Sequence, residues 1–276
     1  MQSFDSEYEA FKAYALTYPD DCVLLVDTYD TLKSGVPHAI EIAKEVLEPM
    51  GKKLKGIRLD SGDISYLSKR ARAMLDVAGL TYVSISASNS LDEYLIRSLL
   101  NQGAQLDSFG VGENLIVSKS SPVFGGVYKL AASFKDGEFE PKIKLSEDPE
   151  KISNPGYKKV FRIYNEENKA EADLIMLHNE SIDESKPLTI FHPTYTWKTK
   201  SFENYTVKEL LKPLFINGEC KYKHKNVMEI REYVNNELNS LWEEYRRLSN
   251  PQTYKVDLSR DLWYLKTKMI DSKKFI

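Results

Sequence analysis

The first third of the chain alternates short apolar runs with stretches in which apolar residues recur every three or four positions. Residues 22–27 (CVLLVD) are a continuous apolar run ending in an acid, the pattern of a strand buried on both faces. Val36, Ile40, Ala43 and Leu47 follow at helical spacing, with Pro37 in the first turn, where its missing N–H does no harm. The unit then recurs. Residues 54–60 (LKGIRLD) predict a strand, and Ile64, Leu67, Ala71, Met74 and Ala78 predict a helix closed by Gly79. Residues 81–86 (TYVSIS) predict a third strand. Ser90 and Glu93 have the S-x-x-E spacing of a capping box ahead of Leu95 and Leu99, with Gly103 ending that helix. Residues 106–112 (LDSFGVG) predict a fourth strand. Four strands with three intervening helices imply parallel pairing, because parallel neighbours need a crossover.

Beyond Gly112 the pattern changes. Residues 123–195 contain VFGGVYKLAASF, FEPKIKLS, YKKVFRIYN and ADLIMLHN, whose lysine-rich alternation predicts antiparallel strands with one wet face. Residues 196–225 read as irregular, with a short helix near 207–211. A long helix is expected over 226–248, with Val227, Ile230, Val234, Leu238, Leu241, Tyr245 and Leu248 as its inward stripe, before Asn250-Pro251 stops it. A last helix is expected near 259–270. The expected organisation is therefore three parts: an α/β part over 1–122, a β-rich segment over 123–200 and a helical region over 201–276.

Composition narrows the function classes. The chain has 276 residues, is 42% hydrophobic and carries a formal net charge of -3, so it is globular and is no nucleic-acid binder working through bulk positive charge. Its two cysteines, Cys22 and Cys220, lie far apart in the sequence and offer no zinc-ligand spacing. Cys22 opens an apolar run and reads as a small buried hydrophobe. The chain lacks an apolar run of about 18 residues and an apolar segment near Met1 of the signal-peptide kind, so a soluble, cytoplasmic protein is expected.

In parallel α/β architectures ligands sit at the carboxyl ends of the strands. Here those ends read Asp27-Thr28-Tyr29-Asp30, Arg58-Leu59-Asp60-Ser61-Gly62-Asp63, Ser86-Ala87-Ser88-Asn89 and Gly110-Val111-Gly112. Paired carboxylates such as Asp60 and Asp63 can accept hydrogen bonds from ribose hydroxyls or hold Mg²⁺ through waters. Arg58 can clamp a phosphate or carboxylate, and Gly110 and Gly112 can let backbone N–H groups approach a phosphate. Each residue also has a plainer reading. Asp63 can be the N-cap of the next helix, Ser88 and Asn89 turn formers, and Arg58 a member of an internal ion pair. The coincidence of such groups at four consecutive strand ends favours a ligand rim.

DTYDTLKSGVPHAI, IRLDSGD, SASNSLDEY, FGVGENL and FGGVYKL, in this order, resemble the nicotinate phosphoribosyltransferase family. HPTYTWKTKSF, LLKPLFINGE and NPQTYKVDLSRDLWYLKTKMI resemble that family's C-terminal region, so the resemblance covers nearly the whole chain. It implies a partial irregular α/β barrel of the type II phosphoribosyltransferase kind, followed by the β-rich segment and C-terminal helices. It implies conversion of nicotinate, 5-phosphoribosyl 1-pyrophosphate and ATP to nicotinate mononucleotide, pyrophosphate, ADP and phosphate, a step of NAD biosynthesis that uses Mg²⁺. By the same resemblance Asp27 and Thr28 lie near the pyrophosphate, with Asp27 beside its Mg²⁺. Arg58 faces the pyrophosphate or the base, and Asp60 holds the ribose hydroxyls. Ser88, Asn89, Gly110 and Gly112 form the 5′-phosphate cradle.

Some of the family's features are not in this sequence. Relatives are considerably longer, and the chain is expected to start just after their GT-x-AHS stretch, whose histidine is phosphorylated during ATP coupling. His38, His178, His192 and His224 do not occupy that motif, so no phosphohistidine is assigned. Glu113 stands where many relatives have Thr after GVG, and a carboxylate there would repel a phosphate. The expectation is a truncated or split form with little activity alone, completed by a homodimer or by its missing half. A non-catalytic phosphosugar-binding subunit is the alternative, and an unrelated phosphosugar-binding barrel ranks last because it leaves the C-terminal motifs unexplained.

Overall fold

In a computed structural model that describes residues 1–123, 125–148 and 151–272, the chain divides into two units, 1–125 and 126–276. The first begins with α1 (Glu7–Thr17), whose N-terminus is capped by the Ser6 hydroxyl accepting from the Glu9 N–H at 3.1 Å. Strand β1 (Val23–Leu25) follows, then a continuous helical stretch from Thr31 to Met50. Its middle is α2 (Val36–Glu41), flanked by wider π-type turns over Thr31–Gly35 and Ile42–Leu47. Strand β2 (Gly56–Leu59), α3 (Ile64–Val77), β3 (Ser84–Ala87), α4 (Glu93–Asn101), β4 (Ser108–Phe109) and the single turn α5 (Glu113–Ile116) complete the unit.

The four strands pair in the order β1-β2-β3-β4, all parallel, as the crossover argument requires. Register partners share a face of a sheet. Leu24, Ile57 and Ile85 therefore form one row and, with Val26, Leu59 and Ala87 beyond them, carry the core. Phe11, Ala15, Ala39, Ile42, Leu47 and Leu75 pack against them, each buried Leu or Ile contributing roughly 1.5–3 kcal/mol. Gly35 meets the end of β1 so closely that a Cβ there would lie 1.8 Å from the Val26 carbonyl oxygen.

The opposite face differs from expectation. Strand β1 is not buried on both sides: Val23 is exposed and Leu25 half-buried, and the same face carries Arg58, Ser86 and Ser108. The apolar run hid this, because its outward positions also hold aliphatic residues.

In the second unit, β5 (Ala132–Lys135) and β6 (Glu138–Pro141) form a hairpin turned by Asp136 and Gly137 at φ +52° and +88°, the conformation that an Asp-Gly pair favours. The main sheet is built from β7 (Lys158–Tyr164), β8 (Ala170–Leu177), β9 (Leu188–Phe191), β10 (Thr199–Phe202), β11 (Thr206–Glu209) and, after the small hairpin β12 (Phe215–Ile216)–β13 (Glu219–Cys220), β14 (Val256–Leu258). Its order is β10-β9-β14-β8-β7-β11, with β14 parallel to β8 and antiparallel to β9. Ile163, Ala172, Leu174, Met176, Ile190, Phe202 and Tyr205 form its core.

Several expectations for this half are corrected. Residues 206–209 form a strand and not a helix: β-branched Thr206 and Val207 extend along β7, and Val207 packs against the sheet's core. Residues 201–276 are not a separate helical region, since β11 and β14 join the sheet formed by residues 158–191. The long helix ends early, as α6 (Val227–Ser240), because Leu241 turns to extended backbone (φ -81°, ψ 143°), and a separate turn α7 (Glu243–Arg246) follows. Its apolar stripe is not core: Val227, Ile230, Val234 and Leu238 are 78%, 45%, 44% and 46% exposed. Polar contacts hold α6 instead. Glu237 accepts from Lys208 at 2.7 Å and from Arg162 at 3.3 Å, and Arg162 is bound bidentate by Asp173 at 2.8 and 3.0 Å. The last helix, α8 (Arg260–Asp271), follows β14 directly, with Ser259 between them as its cap. Within VFGGVYKLAASF only the last residues are strand, and Phe124 lies outside the described residues. Among the described residues no helix is long and apolar enough to cross a membrane.

Candidate functional site

The carboxyl ends of β1 to β4 form one rim, linked by side-chain hydrogen bonds from β1 to β3 and by close packing from β3 to β4. Asp27, two residues past β1, accepts the Asp60 backbone N–H and the Ser61 hydroxyl on one carboxylate oxygen, both at 2.7 Å. Asp60, just past β2, accepts the hydroxyl of Ser88, just past β3. Ser88 in turn packs against Gly110 past β4, where an added Cβ would come within 3.3 Å of the Ser88 Cβ. A small residue at 110 is therefore what lets the fourth strand end approach the third. The chain Asp27–Asp60–Ser88–Gly110 runs across the whole sheet.

The loops past the rim are fastened to each other as well. The Asn114 side-chain amide donates to the Ser90 and Leu91 carbonyls, both at 3.0 Å. Asn89 and Ser90 hold left-handed backbone, φ +89° and +50°, a conformation that asparagine tolerates better than most side chains and serine less well. The backbone N–H groups of Asn89 and Gly112 have no acceptor among the described residues, so they remain available to an anion.

Four sequence-level expectations change in detail. The Gly110 N–H cannot serve a phosphate, because it donates to the Ala87 carbonyl at 2.7 Å; its glycine is needed for proximity instead. Asp63 is the N-cap of α3, accepting from Tyr66 N–H at 3.0 Å, and is not joined to the linked chain of rim residues. The capping box of Ser90 and Glu93 does not form. Asp92 is the cap of α4, accepting from Leu95 N–H at 2.7 Å, while Ser90 is turned away in left-handed backbone. Arg58 is in no internal ion pair: its exposed guanidinium makes no hydrogen bond or salt bridge among the described residues.

Thr28 and Arg58 also border a cleft of about 650 Å³ along the free edge of β1, walled by Phe4, Tyr14 and Tyr18 and floored by Val23 and Leu25. Nearby Asp30 caps the turn that follows β1, and the backbone N–H of Lys33 holds its carboxyl below the usual range. Of the histidines, His38 pairs with buried Glu7 at 2.8 Å, His192 accepts from the Thr194 and Tyr195 backbone, and His178 and His224 pack against aromatic rings.

No three His, Cys, Asp or Glu side chains gather closely enough, among the described residues, to hold a metal unaided. Mg²⁺ bound to a diphosphate does not ask for that. It takes one or two carboxylates, substrate oxygens and water. Asp27 suits this role, because only one of its oxygens is hydrogen-bonded within the described chain.

Sequence reasoning placed Ser61 and Ser86 at the strand ends without a role and passed over Ser108 and Asn114. Ser86 was legible in principle, lying two residues before Ser88 and so on the outward face of its strand. The others depend on contacts between strands.

Residues 157–266 match the family model described as nicotinate phosphoribosyltransferase C-terminal domain. A nicotinate phosphoribosyltransferase of Bacillus subtilis is 47% identical over 275 residues, covering 99% of this chain and 56% of the relative. The crystal structure of human nicotinic acid phosphoribosyltransferase superposes with a TM-score of 0.73 at 27% identity, over 96% of this chain and 50% of that one. A nicotinate-nucleotide pyrophosphorylase from Pyrococcus furiosus, at 23% identity and a TM-score of 0.55, shares the mixed α/β fold over 86% of this chain. The chain spans about half the length of the relatives it matches.

Proposed function

We propose, from the chain's kinship with the nicotinate phosphoribosyltransferases, that it supplies the phosphoribosyl-holding half of such an enzyme, joining nicotinate to 5-phosphoribosyl 1-pyrophosphate with release of pyrophosphate. The observation that carries this reading is the linked rim Asp27–Asp60–Ser88–Gly110 at the ends of four parallel strands.

Asp60 is the residue for the ribose hydroxyls. Its backbone N–H is fixed by Asp27 and its carboxylate is oriented by Ser88, so it meets the sugar without first having to be ordered. The Asn89 and Gly112 N–H groups face the 5′-phosphate. Thr28 and the free oxygen of Asp27 sit on the diphosphate side, where Mg²⁺ held by Asp27 would neutralise the leaving group. Arg58 offers an unpaired cation to the diphosphate or to the carboxylate of the base. Ribosyl transfer builds positive charge on the sugar as the diphosphate leaves, and this rim answers by position and charge, with no nucleophile of its own. Coupling to ATP is part of the proposal by kinship alone. None of the four histidines belongs to the linked chain of rim residues, and no phosphoryl step is assigned to them.

Parallel sheets are ordinarily covered on both faces, and β1 and β4 have no partner on their outer edges among the described residues. This supports a working form in which further polypeptide closes the barrel, either the remaining half of a longer enzyme or a second copy. Calorimetric titration with 5-phosphoribosyl 1-pyrophosphate and Mg²⁺ tests the reading. The chain is expected to bind it, and Asp60→Asn to weaken binding at least tenfold, the loss of a hydrogen bond to a charged group being about 1.5–3 kcal/mol. No binding, or equal binding by the variant, contradicts it.

A further inference from the structure

The outward face of the parallel sheet carries a row one step inside the rim. Leu25, Arg58, Ser86 and Ser108 are register partners across β1 to β4 and so stand side by side, with neighbouring strands about 4.8 Å apart. Three of the four are polar; Arg58 and Ser108 are exposed and Ser86 is half-buried. The Ser86 and Ser108 hydroxyls hydrogen-bond each other at 2.7 Å. That bond consumes one of their two O–H donors, and neither hydroxyl is tied to the backbone. Ser84, one step further in on the same face, shows the contrast: its hydroxyl is spent on the Lys55 carbonyl at 2.9 Å. The serine pair therefore presents one uncommitted O–H donor beside the unpartnered Arg58 guanidinium. On the other side of Arg58, Leu25 and Val23 lead into the aromatic-walled cleft. Below Arg58, Gly56 has no side chain, and the Ser84 hydroxyl occupies that place, 2.5 Å from where a Cβ would stand.

We propose that the Ser86–Ser108 hydroxyl pair is a specificity-determining element of the base subsite, donating to the carboxylate of an aromatic acid that Arg58 holds from the other side. This rests on the phosphoribosyl reading of the rim and deepens it. Arg58 has only donors and favours an anion. The serine pair adds a donor at a fixed place, directed by the mutual hydrogen bond. A carboxamide in the same position presents its NH₂ group to at least one of these donors, leaving a polar group unsatisfied. Such a mismatch is what lets a hydrogen-bonding site reject a near-isostere.

The test measures nicotinate and nicotinamide binding by calorimetry or ligand-observed magnetic resonance, for the chain and for the variant carrying Ser86→Ala and Ser108→Ala. The chain is expected to prefer nicotinate by about tenfold or more. The double variant is expected to lose most of that preference through weaker nicotinate binding, with nicotinamide affinity held within about twofold. Binding of 5-phosphoribosyl 1-pyrophosphate with Mg²⁺, measured alongside, reports the rim and the integrity of the fold. If it binds equally to both proteins and the variant keeps its preference, the serine proposal is overturned and the rim reading survives. If the chain binds nicotinate undetectably, or no better than nicotinamide, the proposal is likewise overturned. If 5-phosphoribosyl 1-pyrophosphate fails to bind the unaltered chain, the rim reading falls, and the proposal with it.

Discussion

Cys22 and Cys220 show how far the same side chain is set by its surroundings. Cys22 is fully buried in the core beneath β1, and burial pushes its thiol up to about 11; Cys220 is exposed. Native protein at pH 8 should therefore give one fast-reacting thiol with Ellman's reagent and two in denaturant; two fast thiols in the native protein would contradict the burial. The shift also fixes a sign. A thiol raised from 9.0 to about 11 contributes stability below pH 9, which is lost as pH rises through about 11. The apolar company of Cys22 in the sequence made its burial legible. The duties of Gly110 and Asp63 were less so, because a glycine that gives proximity and one that bares an N–H look alike until the partner strand is in place.

At the level of elements, helical and strand periodicity located β1 to β4 and their crossovers, since a wrong period there would expose the core residues of every unit. Caps were harder to read. Ser90 and Asp92 are both good capping residues, and the choice between them is made by where the chain leaves β3. Asp92→Ala should cost about 1 kcal/mol, seen as roughly fivefold faster hydrogen exchange of the first amides of α4, while Ser90→Ala should change them little. Equal effects would place the cap wrongly. The stripe on α6 was misread for a related reason. Periodicity identifies an amphipathic helix but not whether its apolar face meets the same unit, and here Glu237, Lys208 and Arg162 hold the helix by its polar edge. Residues 206–209 took the strand form because β7 offered an open edge, a tertiary preference that outweighs local pattern.

For the molecule as a whole, the informative feature is a parallel sheet with one face packed and the other left polar and open at Arg58, Ser86 and Ser108. The candidate rim was readable as a list of residues because strand ends can be located from the sequence. Its linkage through Asp27, Asp60 and Ser88 was not readable, being a matter of distances between strands. Amide magnetic resonance of the labelled chain, titrated with 5-phosphoribosyl 1-pyrophosphate and Mg²⁺, tests that linkage as a binding site. Shifts should concentrate at Asp60, Ser61, Ser88, Asn89 and Gly112. A saturating titration that moves other amides and leaves these five in place would contradict it.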